Sequence, residues 1–131
     1  MKTFATLLAG AALALTGTTA VLAKTPEENE AKLARMLEGR TAGEPVNCIS
    51  ALNSSRMEVI EHVGIVYDAG STIYVARPSD PSQLGRNDVV VIDRHSSQLC
   101  TTDVIRTVDR YQGFTTGAVF LDKFVPYNRE G

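Results

Sequence analysis

Two cysteines, Cys48 and Cys100, constrain this 131-residue chain more than any other pair of residues. They permit a single intramolecular pairing, and a bond between them would tie an expected strand near Cys48 to one near Cys100. On the loop-entropy account, closing such a span withdraws roughly 4 kcal/mol of freedom from the unfolded chain. A small domain has only about 5–15 kcal/mol of stability in all. A competing reading starts from "HSSQLC" at 95–100, where His95 stands five positions ahead of Cys100. A catalytic thiol needs a thiolate with a base in hydrogen-bond reach, and a separation of five on a strand or loop does not provide one. Metal binding is the third reading. Against it, the two cysteines with His62 and His95 show neither C-x2-C nor H-x3-H spacing.

The N-terminus decides among these. "MKTFATLLAGAALALTGTTAVLAKT" opens with a positive Lys2, runs apolar from Phe4 to Leu15, and places Val21 and Ala23 at −3 and −1 of a cut before Lys24. That is the layout of a secretory signal peptide over residues 1–23. The apolar run, about 12 residues, is short of the roughly 20 that span a bilayer as a helix. Export implies an oxidising compartment, periplasmic or extracellular, where thiols pair. A Cys48–Cys100 disulfide is therefore the expectation, with no metal and no cofactor. The formal charge of −2 offers no positive field for nucleic acid or an anionic membrane.

Three segments are expected. After the leader, residues 24–46 read as a helix and a linker. Thr25, Pro26 and Glu28 form a capping box, Leu33, Met36 and Leu37 make one narrow apolar stripe, and Gly39 suits the helix end. The helix is expected over about 26–38, packed on the body or projecting from it. "GRTAGEPVN" at 39–47 carries two glycines and a proline, which predicts an irregular linker. Residues 47–131 read as a disulfide-closed β domain. Strands are expected near 57–61, 63–67 and 72–77, with Gly70 in the turn between the last two. "DVVVID" at 88–93 reads as a strand buried on both faces. "TDVIRTVDR" and "TTGAVFLDKFVPY" supply further strands, although Thr102 could instead cap a short helix. The fold class is mainly β, a small antiparallel barrel or sandwich with one N-terminal helix.

Motifs of catalysis are scarce. Seven aspartates, Asp68, Asp80, Asp88, Asp93, Asp103, Asp109 and Asp122, fall mostly at expected strand ends and turns, where Asp bonds to backbone. No P-loop, G-x-G-x-x-G, H-E-x-x-H or G-x-S-x-G sequence is present. "NSS" at 53–55 matches a glycosylation acceptor, a pattern common by chance. Arg94, Arg106 and Arg110 each sit near an aspartate, and a row of them on one face would suit an anionic partner. Otherwise they belong to cross-strand ion pairs.

The stretches "NCI" (47–49), "SSR" (54–56), "IYVARP" (73–78), "SQLCTTD" (97–103), "DR" (109–110) and "FVPY" (124–127) resemble a family of small secreted proteins of Gram-negative bacteria whose function is unknown. The resemblance covers about residues 47–127 and implies export and a paired Cys48 and Cys100. It carries over no catalytic residue. The expectation is a secreted or periplasmic, non-enzymatic binding or structural module, possessing a partner surface drawn from Phe114, Phe124, Tyr127, Arg94, Arg106 and Arg110. Its partner is unassigned, an envelope protein being one candidate. The alternative is a small secreted hydrolase using Asp, Arg and His side chains from loops.

Overall fold

The structure, a computed structural model, describes residues 25–85 and 87–130; the expected leader, residues 1–23, lies outside them. Among the described residues one α-helix, α1 (Pro26–Met36), precedes ten strands: β1 (Arg40–Ala42), β2 (Cys48–Ser50), β3 (Met57–Ile60), β4 (Gly64–Asp68), β5 (Thr72–Ala76), β6 (Asp88–Asp93), β7 (Gln98–Cys100), β8 (Val104–Asp109), β9 (Thr115–Val119) and β10 (Val125–Arg129). They form three antiparallel sheets, ordered β1-β10-β5-β4-β3, β2-β7 and β6-β8-β9. None of these ladders closes on itself among the described residues, so of the two expected architectures the layered one fits and the barrel does not.

The helix begins as its sequence dictates. Thr25 Oγ1 accepts from the Glu28 amide at 3.3 Å, and Glu28 Oε2 accepts from the Thr25 amide at 3.2 Å. It stops at Met36, short of the expected residue 38, because Gly39 takes a φ of 72° and turns the chain directly into β1. Its stripe is buried rather than free. Leu33, with Met36 and Leu37 beside it, packs on Ile60, Val63, Val66, Ile73 and Val75. Asn29 is buried as well, and its side chain donates to the Glu61 carbonyl at 3.0 Å. Ion pairs Lys32–Glu58 and Arg77–Glu30 flank the contact.

The Arg77 guanidinium, hydrogen-bonded to Glu30, holds that carboxyl below its ordinary value of 4.5, against the opposing effect of burial. A depressed folded pKa contributes stability that is full above the unfolded pKa and vanishes as pH falls through the folded value. Both side chains are about half exposed, so water screens the pair and its contribution stays below about 1 kcal/mol. Glu30→Gln is therefore expected to cost up to about 1 kcal/mol at neutral pH, and nothing in acid below both pKa values, when urea unfolding is compared across pH.

The five-stranded sheet is covered on both faces, which follows from period-2 alternation along its central strands. In β4, Ile65 and Tyr67 point to the larger core and Val66 to the helix; in β5, Tyr74 and Ala76 face the core and Ile73 and Val75 the helix. The larger core lies between this sheet and the two smaller ones, where Ile65 and Tyr67 meet Ile49, Leu99, Ile105, Val119, Leu121 and Phe124.

Four expectations need correction. The stretch expected as a linker, 39–47, is not irregular throughout. Arg40–Ala42 pairs with β10, and Val46 bridges Phe124; Gly43 and Pro45 limit the strand to three residues but do not prevent it. The strand buried on both faces is β4, not β6. β6 lies at a sheet edge with Val89 exposed, and its valines are spread over both faces with one face to solvent. "TTGAVFLDKFVPY" is two strands, because residues 120–124 leave β9 before β10 begins. Thr102 caps no helix: residues 104–109 form β8.

Candidate binding surfaces

Cys48 and Cys100 face each other across β2 and β7 and are bonded. The Thr101 amide donates to the Asn47 carbonyl at 2.9 Å, so the neighbouring Cys48–Cys100 pair occupies a non-hydrogen-bonded site, where opposed Cα atoms come closest. No free thiol is present among the described residues. His95 is exposed in the turn before β7. His62 serves the β3–β4 turn, taking a φ of 59° while its amide donates to the Leu84 carbonyl. The two histidines and two cysteines do not converge, and no group of three or more potential metal-ligating residues occurs among the described residues.

The aspartates mostly do the backbone work their positions suggest. Asp68 accepts from the Gly70 amide, Asp80 from Ser82, Asp103 from the Cys100 amide, and Asp109 from the amides of Tyr111 and Gln112. The Ser82 bonds hold the Asp80 carboxyl below its usual range. Asp88 accepts from Thr116, and Asp93 pairs with Arg106 across the sheet. Asn53, of the "NSS" tripeptide, uses its side-chain oxygen to cap the short turn Ser54–Arg56.

The expected partner surface does not form as one patch. Phe124 is 1% exposed and sits in the larger core, where its ring fills the space between sheets; it offers no surface. Tyr127, on the opposite face of the same sheet, packs beside the helix. Phe114 is 53% exposed, before β9. The arginines do not make a row. Arg106 lies on the outer face of its sheet in an ion pair with Asp93. Arg94 continues β6 on the inner-face parity, and Arg110 is exposed at the turn after β8.

Two other features emerge. The first is the outer face of β6-β8-β9. Register places Val89 opposite Val108, Val91 opposite Arg106 and Asp93 opposite Val104 on that face. Val89 and Val104 are exposed, and aromatic side chains stand at both ends of β9: Tyr111, 80% exposed, with Phe114, and Phe120, 72% exposed. The period-2 reading of "GAVFL" contained the signal for Phe120: Gly117, Val119 and Leu121 turn inward, which leaves Phe120 outward. Nothing in the valine run of β6 distinguished its solvent face, because valines fall on both faces.

The second is a cleft of about 340 Å³ between the edge strands β3 and β6, lined by Ser54, Met57, Val59, Val90, Ile92 and Arg94. β3 ends the five-stranded sheet and β6 the three-stranded one, and neither has a partner on its outer side among the described residues. The cleft is thus the open side of the layered structure, reaching the larger core through Met57, Val90 and Ile92.

Comparison of the chain with protein-family models, with curated proteins and with solved structures finds no match in any of the three.

Proposed function

We propose that this chain is an exported, non-enzymatic binding module that engages its partner through the outer face of β6-β8-β9. One observation carries the reading. In a chain with only four Phe and four Tyr, Tyr111, Phe114 and Phe120 are exposed at the two ends of β9, in the sheet that also exposes Val89 and Val104. Large apolar side chains left in water on one sheet of a small domain mark an interaction site, here with the Arg106–Asp93 ion pair on the same face. Aromatic side chains suit the role, giving large contact area at small conformational cost. Export to the periplasm or beyond is supported by the leader pattern at 1–23 and by the bonded cysteines. Of the residues of the hydrolase alternative, Asp68, Asp80 and Asp109 bond to backbone amides in turns and Asp93 pairs with Arg106, each in a separate part of the fold, and this favours binding over turnover.

The test is affinity capture from the native envelope fraction, run with the mature chain and with a Tyr111→Ser, Phe120→Ser double variant. Both positions are exposed, so the variant should unfold within about 0.5 kcal/mol per site of the parent. The expected result is a partner recovered by the parent and reduced at least tenfold with the variant. Equal recovery by both proteins would remove the sheet face from the proposal. Hydrolytic turnover by the parent that is abolished by substituting a loop Asp or His would replace binding with catalysis.

A further inference from the structure

We propose that the cleft between β3 and β6 is a second binding site, separate from the sheet face, for a single-chain amphiphile with an anionic head group, of which a medium-chain carboxylate is the simplest. The cleft has a polar end and an apolar end. Arg94 follows Ile92 at the end of β6, and Ser54 precedes Met57 at the start of β3. The Arg94 guanidinium donates to the Ala51 carbonyl at 2.5 Å, which fixes it at the same end as Ser54. Away from that end the walls are Met57, Val59, Val90 and Ile92. At about 340 Å³ the space is within the range of small-molecule sites.

The state of Arg94 indicates the charge of the ligand. Its only hydrogen bond among the described residues goes to that neutral carbonyl, and none of the three ion pairs includes it. Every Asp and Glu of the chain lies within the described residues, so no acidic side chain remains to be placed beside it. A guanidinium has five donors in a fixed fork, and a half-buried one with a single neutral partner keeps most of them for a bidentate anion. The other half of the ligand follows from the walls, where apolar side chains on inner faces border the larger core. An extended peptide added to an edge would be held by a backbone ladder. Here the lining is side chains from two facing strands, which favours a hydrocarbon chain lying between them.

Titration calorimetry with the oxidised mature chain tests this, using decanoate and decanol below the concentrations at which either self-associates. Decanoate should saturate a single site. Arg94→Gln should weaken decanoate at least tenfold while changing decanol less than threefold, and Arg94→Lys should restore most of the difference. Val59→Trp, which fills the cleft from an edge position, should abolish both ligands, and it serves alone if Arg94→Gln does not fold. The Tyr111→Ser, Phe120→Ser double variant should bind decanoate as the parent does, which separates this site from the sheet face. Absence of saturable decanoate binding, equal affinity in Arg94→Gln, or unchanged binding in Val59→Trp would each overturn the proposal. So would saturation by an extended apolar peptide in place of decanoate.

Discussion

Replacing Cys48 with alanine is expected to lower the unfolding free energy by about 2–5 kcal/mol, with the urea midpoint falling accordingly. The bond closes a span of 52 residues, so reduction releases a long loop in the unfolded state. The folded state also depends on it. β2 and β7 have three residues each and form a sheet of their own, and an isolated two-stranded ribbon is marginal in water. Between the ends of that ribbon sit Ile49 and Leu99, both buried in the larger core. Losing the crosslink therefore loosens two core side chains along with the loop. Cavity effects contribute little, because Cys48 is exposed and Cys100 half-buried. Two controls isolate the cause: the parent protein in reductant should fall to the stability of the variant, and the oxidised parent should take up no thiol reagent. A midpoint shared by the parent and Cys48→Ala would mean that the ribbon holds itself in place.

How far the fold was legible depended on strand length and on which layers meet. The helix start was readable because Thr25, Pro26 and Glu28 act locally, within one turn. The strands at 57–60, 64–68 and 72–76 were readable because β-branched residues recur over four or five positions between turns. β1 was not, since three residues complete barely one period of alternation and its partner lies far along the chain; β2 and β7, equally short, were legible only through the cysteine pair that ties them. The two-sided burial of β4 was hidden for another reason. "GIVYD" gives no sign that a helix thirty residues earlier covers one of its faces, whereas "DVVVID" has a run of valines and yet lies at an edge. Side-chain chemistry showed the same division. The aspartates that bond to amides two or three residues away were foreseeable from position. The cleft was not, because it depends on β3 and β6 each ending a sheet, and sheet order is a long-range property.

Phe124 shows how the distinction between surface and core can be measured. Its aromatic ring reads from sequence as a partner for a surface, alongside Phe114 and Tyr127, but the fold buries it with Ile49, Leu99, Leu121 and their neighbours. Its backbone is engaged as well. The Phe124 amide donates to the Val46 carbonyl at 2.9 Å and its carbonyl accepts from the Val46 amide at 2.8 Å, which fastens residues 43–46 to the start of β10. Phe124→Ala should consequently cost about 3–5 kcal/mol, the sum of lost burial and an unfilled cavity where two sheets meet. Phe124→Leu, which keeps most of the volume, should cost distinctly less. Phe114→Ala removes the same side chain from an exposed turn and should change stability by no more than about 0.5 kcal/mol. Urea unfolding of the three variants gives the comparison directly. A loss below about 1 kcal/mol for Phe124→Ala would place the ring outside the core, and the layered packing of the three sheets around it would then have to be redrawn.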